Sequence, residues 1–290
     1  MNPSKGTSCF FVGVLCSVLL GFPGNLGSAP SRKEKFFTSR SVHYEILSDV
    51  DEELCRKAAA RLEQAFQCFR TALPYQKSPH TRLKVRIFST KEKFDEYNQS
   101  VHRAKDPHRS FVYHHYERES AKCEVVAFVK SEAELMAGLQ HEAFHQYFRS
   151  IIDYPPQWVN EGLAEYFEVV VIDENRRFVS RPAPWLQKWR TEKKRLGSNT
   201  TVLIPVKDLM SFSKEEWEEQ SNSYCESWAL VYFFLHSDHA EWKKRFTAYL
   251  AALKSGSPRE DNTRLAMKAA FTGANFEELE RLLVEFMEGL

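Results

Sequence analysis

Two short segments constrain this chain more than anything else in it. The first is His141-Glu142-Ala143-Phe144-His145; the second is Trp158-Val159-Asn160-Glu161-Gly162-Leu163-Ala164-Glu165, whose Glu161 stands sixteen residues after His145. On a helix, residues four apart lie ~40° from one another and ~6 Å up the axis, so His141 and His145 point the same way. That geometry needs a helix, and the sequence supplies one. Around residues 132–150 an apolar stripe runs through Leu135, Met136, Leu139, Ala143, Phe144, Phe148 and Ile151, the spacing of a partly buried helix.

The segment Asp153-Tyr154-Pro155-Pro156-Gln157 ends that helix with paired prolines and allows another to begin. In the second helix Glu161 and Glu165 are four apart and share a face. Carboxylates at this spacing are usually solvated. Here they lie among Trp158, Val159, Leu163, Tyr166 and Phe167, in a mostly apolar helix where charged groups need a reason to be buried. Gly162 and Ala164 are small enough for close approach to a neighbouring helix.

Two imidazoles and a carboxylate are a zinc donor set that leaves a fourth position for water. His141, His145 and Glu161 are therefore the expected ligands of a Zn2+ cofactor. Glu142 stands beside them, where a carboxylate can take a proton from a zinc-polarised water, so the group reads as a hydrolase site with Glu142 as general base. Metal-bound histidines commonly donate their second ring N–H to a carboxylate, and Glu165 is the expected partner.

His-Glu-Ala-Phe-His followed by Trp-Val-Asn-Glu-Gly-Leu-Ala-Glu-Tyr-Phe-Glu resembles the gluzincin branch of the zincin metallopeptidases, the peptidase MA-like group. The likeness is greatest to short secreted bacterial members of undefined substrate. It covers residues 132–170 and a later piece, Tyr224-Cys225-Glu226-Ser227-Trp228-Ala229-Leu230-Val231-Tyr232, which begins sixty-three residues after Glu161. The resemblance implies a zincin-like fold, zinc on Glu161 of the Asn160-Glu161 pair, and peptide-bond hydrolysis. It also implies that the Tyr224 hydroxyl steadies the tetrahedral oxyanion, a task suited to an uncharged donor.

Two departures from the family pattern bear on specificity. Fifteen residues separate His145 from Glu161, a shorter connection than in the best-known members. There is also no Gly-x-Met-Glu-Asn-like strand of the kind that holds a free amino terminus in aminopeptidases; the corresponding segment reads Ala121-Lys122-Cys123-Glu124-Val125-Val126-Ala127-Phe128. Endopeptidase action is the expectation, with residues 121–129 pairing with an extended substrate by strand addition.

Composition sets the limits around this site. At 290 residues and 43% hydrophobic content the chain can bury a substantial core. Its formal charge is +1, and Lys5 is the only charge in the first 29 residues, so nothing steers it toward a phosphate backbone and no nucleic-acid partner is expected. Arg190, Lys193, Lys194 and Arg195 read as the solvated face of a helix. The apolar run Cys9–Phe22, followed by Pro23-Gly24 and Gly27-Ser28-Ala29, suits a signal peptide over residues 1–29 and is too short to span a bilayer comfortably. Cys16 has no lipobox before it. A secreted or periplasmic protein without stable membrane insertion is expected after cleavage.

Cleavage at Ala29 would leave Cys55, Cys68, Cys123 and Cys225, which allow three full pairings. A single helix over residues 51–72 would hold Cys55 and Cys68 ~20 Å apart and exclude that pair; buried free thiols are the competing reading.

The remaining pattern predicts strands at 41–47, with Val42, Tyr44 and Ile46 on one side, and at 82–88, 110–115 and 121–129. Helices are predicted at 51–73, 91–97, 184–195, 214–219, 221–236, 239–254, 260–271 and 276–288. Asp238 with Glu241 looks like a helix-capping pair. His114, His115, His236 and His239 read as surface or capping residues, with His236 a lesser candidate for a second oxyanion donor. Together these give an α+β fold over residues 30–290, with an α/β lobe (30–150) built on a small mixed sheet and a mainly helical lobe (151–290). The expected partner is a peptide or protein substrate, and oligomeric state is left open. Two alternatives accompany the peptidase reading: a zinc-binding module without turnover, and a hydrolase of glycosylated or cell-wall peptides.

Overall fold

The structure, a computed structural model, describes residues 35–290 apart from 76–78, 80, 105–109, 117–118, 120–121, 173–177, 181 and 198–201. The expected signal peptide lies outside the described residues. Lys35–Leu290 form one compact unit of mixed α+β architecture.

A five-stranded sheet opens the unit. Its strands are β1 (Phe37–Arg40), β2 (Tyr44–Ser48), β3 (Leu83–Phe88), β4 (Phe111–His114) and β5 (Glu124–Phe128), in the order β1-β2-β3-β5-β4. β2, β3 and β5 run parallel; β1 and β4 are antiparallel edges. The interior strand β5 is buried at every position, as expected of a strand covered on both faces. Helix α1 (Glu52–Ala72) crosses from β2 to β3, and α2 (Lys91–Val101) follows β3.

Both helices start where their caps dictate. The Asp51 carboxylate accepts the Leu54 N–H at 2.7 Å, and Thr90 caps α2 through the Lys93 N–H. One face of the sheet packs Ile46, Val85, Ile87, Val125 and Ala127 against α1 and α3 (Glu132–Arg149) in the main core. The other face packs Phe88, Val126 and Phe128 against Phe94 of α2 in a smaller cluster. Val42 does not join the strand predicted around it: pairing begins at Tyr44, and Val42 is 76% exposed in the preceding turn.

After α3 come α4 (Gln157–Glu168) and a short hairpin of β6 (Val170–Ile172) and β7 (Phe178–Ser180). Then follow α5 (Ala183–Leu196), α6 (Val206–Ser211), α7 (Lys214–Glu219), α8 (Ser223–His236), α9 (Ala240–Ala252), α10 (Arg259–Phe271) and α11 (Phe276–Gly289). α8 is the axle of this helical lobe, with Cys225 to Phe234 all buried. It is apolar almost all round because it contacts α4, α5, α9 and α11. No helix among the described residues is long and apolar enough to cross a membrane.

Candidate metal centre

α3 is fixed before it presents anything. Ser131 caps it by accepting the Glu134 N–H at 3.2 Å, and the Gln146 amide donates to the Lys84 carbonyl of β3 at 2.8 Å. Gln140, only 2% exposed, donates to the carbonyls of Phe167 and Val170 at 2.8 and 3.0 Å, which pins the end of α4 beside His141. α4 is buried from Gln157 to Phe167 although it carries Gln157, Asn160, Glu161 and Glu165. Four polar side chains inside one buried helix demand mutual satisfaction or a bound ligand.

The three expected ligands converge. His141 Nε2 and His145 Nε2 are 3.1 Å apart, and Glu161 Oε2 is 3.7 Å from the first and 3.4 Å from the second. A tetrahedral zinc with ligands at ~2.0–2.1 Å has donor-to-donor edges of ~3.3–3.4 Å, so the triangle has the right size for one ion. The chemistry agrees with the geometry. Two imidazole nitrogens and a carboxylate oxygen this close together are a donor set that a divalent cation can satisfy together.

Glu161 turns a single oxygen toward the imidazoles. Its Oε1 accepts from Asn160 Nδ2 at 3.0 Å and from Gln157 Nε2 at 3.2 Å, which leaves Oε2 for the imidazoles. Burial alone would raise its pKa, but the charges and hydrogen bonds of His145 and His141 hold it well below the ordinary carboxylate range. For His141, burial pulls downward, yet Glu161, Glu168, Glu165 and Glu142 outweigh it and hold the imidazole well above its usual value. Such a cluster already behaves as a site that prefers positive charge at its centre.

The second nitrogen of His141 faces two carboxylates. Glu168 Oε2 is 3.2 Å from Nδ1 and Glu165 Oε1 is 3.8 Å away, so both belong to the support of this ring, with Glu168 the nearer. Burial, against the pull of His141 and aided by Glu168 and Glu161, pushes the Glu165 carboxyl well above the usual carboxylate range. Glu168 was not singled out from sequence, although Glu161, Glu165 and Glu168 follow the i, i+4, i+7 spacing of one helix face. Among the described residues His145 Nδ1 is buried with no hydrogen-bond partner, so the carboxylate support falls on His141.

Glu142 lines an open cleft of about 510 Å3 with His141, Gly138, Phe111, Lys130 and Glu168. Gly138, one turn before Glu142, lets β4 approach: a Cβ there would stand 2.5 Å from the Phe111 ring. β4 is the sheet edge beside the cleft. This corrects the expectation for residues 121–129, because β5 has β3 on one side and β4 on the other and its backbone is already paired. Among the described residues the free edge belongs to Phe111–His114.

Tyr224 opens α8 at 39% exposure, and its ring packs edge-on against Trp217 with centroids 4.4 Å apart. The α4–α8 seam joins it to the site indirectly: one turn on, the Ser227 carbonyl faces Gly162, the neighbour of Glu161. His236 accepts or donates at 3.0 Å to the Tyr166 hydroxyl and stacks on Tyr232. His114 stacks on His102 at 3.7 Å and bonds Asn98, a structural role at the sheet edge. Asp238 does not cap α9, whose N-cap is His239 without a side-chain bond. Cys55, Cys68, Cys123 and Cys225 are all free thiols.

The profile of a family described only as "Protein of unknown function (DUF1570)" matches residues 135–258. That stretch contains His141, Glu142, His145, Glu161, Glu165, Glu168 and Tyr224. A search of curated proteins finds no match to the chain.

Proposed function

We propose that this chain is an exported, zinc-dependent metallopeptidase of gluzincin type. The observation that carries the reading is the convergence of His141 Nε2, His145 Nε2 and Glu161 Oε2 to within 3.1–3.7 Å of one another. Only these three side chains, and the overlapping set of His141, Glu165 and Glu168, cluster as donors among the described residues. A purely structural zinc would normally be closed by a fourth protein ligand, whereas this triangle has Glu142 and an open cleft beside it.

Bound zinc would supply a Lewis acid that polarises the scissile carbonyl and acidifies a water. The chain's own residues do the rest. Glu142 takes the water's proton and hands it to the leaving amine, a transfer worth typically ~10²–10⁴-fold in rate. Asn160 and Gln157 keep Glu161 in one orientation, and Glu168 with Glu165 keep His141 in one tautomer. The free edge of β4 holds an extended peptide by strand addition across the cleft. Tyr224 would be the donor to the oxyanion, the role that the resemblance implies.

The test is zinc content and cleavage together. Full-length protein should hold one zinc after dialysis and cleave members of a peptide library. Glu161→Ala should lose both. Zinc retained by Glu161→Ala would remove Glu161 from the ligand set.

A further inference from the structure

Arg259, the first residue of α10, lies against Gln157 at the start of α4, one turn before Glu161. Its position is built by the connection between α3 and α4. The Asp153 carboxylate accepts from the Gly256 N–H at 2.8 Å and from the Ser255 hydroxyl at 3.1 Å. Gly256 makes that turn with φ +75°, a backbone region that disfavours side chains. Asn262, fully buried, donates to the carbonyls of Tyr154 and Lys254 at 3.1 Å each and accepts the Lys254 N–H at 2.8 Å.

The guanidinium that this scaffold holds is two hydrogen bonds from the metal ligand. Arg259 Nη1 donates to Gln157 Oε1, and Gln157 Nε2 donates to Glu161 Oε1 at 3.2 Å. Arg149, one turn beyond His145 on α3, is the second cation of the group; its Nε donates to the Asp153 carbonyl at 3.3 Å. Its charge is close enough that, after burial, it is the next largest influence lowering Arg259, while Glu161 acts in the opposite sense. A guanidinium has five N–H donors, and among the described residues each of these two spends one and neither makes an ion pair.

Two like charges held together and partly out of water are unfavourable unless an anion completes them. Glu161 cannot do so, because Oε1 is taken by two amides and Oε2 faces the imidazoles. Arg259 also lines an open cleft of about 490 Å3 with Lys207, Phe212, Ser213, Glu216, Glu260 and Met267. Arg264, on the same rim, is already paired with Asp261 at 3.0 Å. Glu216 and Glu260 line the same cleft, but among the described residues neither is within ion-pair distance of Arg259, so its guanidinium keeps room for a carboxylate from outside, the group that it binds best.

We infer that Arg259, with Arg149 beside it, forms a subsite for a substrate carboxylate on the Glu161 flank of the metal centre. The substrates are then peptides that place an acidic side chain or a free C-terminal carboxylate there. This rests on the peptidase reading, and the test separates the two.

The full-length Glu142→Gln protein, loaded with zinc, is titrated with fluorescein-labelled hexapeptides of one sequence. A glutamate or glutamine is placed at each position in turn, and each peptide carries a free or amidated C-terminus. The expected result is at least ten-fold tighter binding of one carboxylate-bearing series over its neutral counterpart. Preference that follows the glutamate assigns a side-chain carboxylate; preference that follows the free terminus assigns the terminal one. Arg259→Gln and, separately, Arg149→Gln should abolish or reduce that ratio while zinc content stays at one equivalent. Equal affinity for all charged and neutral peptides overturns the subsite, as does a ratio unchanged in both arginine variants. Absence of cleavage by the wild type with the charge preference intact overturns the peptidase reading alone.

Discussion

Gly162 lies directly against Ser227: a Cβ at position 162 would stand 2.5 Å from the Ser227 carbonyl oxygen. The helix that carries Glu161 is therefore seated on α8 by the absence of a side chain. Gly162→Ala gains helix propensity of ~1 kcal/mol but must push α4 away from backbone that cannot yield. Overpacking of this kind costs ~1–3 kcal/mol, so the variant should melt lower despite the better helix former. Because Glu161 is the residue immediately before it, zinc affinity should fall as well. A thermal melt and a chelator competition check both; an unchanged zinc affinity would separate the seam from the site.

Glu168 is the nearer carboxylate to His141 Nδ1, at 3.2 Å against 3.8 Å for Glu165. Loss of such an orienting partner typically weakens metal binding ~10–100-fold. Glu168→Ala should fall in that range, and Glu165→Ala should have the smaller effect on zinc affinity. The reverse order would show that the ring is oriented by Glu165.

Much of this arrangement was legible in the sequence because it is local. The apolar stripe around residues 132–150 became α3 (Glu132–Arg149), and the prolines at 155 and 156 did separate it from α4. The i, i+4 histidines needed only helical geometry to meet. What sequence reading missed was short or remote. β1 has no apolar alternation, and β6 and β7 are three residues each, too short for a period to show. β5 was recognised as a strand, but which strand would be the edge depends on pairing, which no single segment encodes. Arg259 lies ninety-eight residues after Glu161 and reaches it through Gln157, so no spacing rule could have joined them.

Glu226 is fully buried on α8, its Oε2 accepting from Trp189 Nε1 at 3.0 Å. Burial, against that bond and one from the Leu203 backbone, pushes its pKa up to about 8. In the unfolded chain it titrates near ~4.3. The folded state therefore holds its proton more tightly, and the stability this confers is present below pH ~4.3 and is lost progressively as pH rises to about 8. Glu226→Gln should remove that slope and be the more stable protein at pH 8, by an amount of order a few kcal/mol. Urea midpoints from pH 5 to 9 measure it; parallel curves for the two proteins would show that Glu226 does not titrate in this range.

The central claim is that His141, His145 and Glu161 hold a zinc at which Glu142 serves as the base. The most direct test is peptide cleavage by wild type and Glu142→Gln at matched zinc occupancy. The account predicts one zinc in each protein, cleavage by the wild type, and a rate at least ~10²-fold lower in the variant. Equal cleavage by the two zinc-loaded proteins would contradict it.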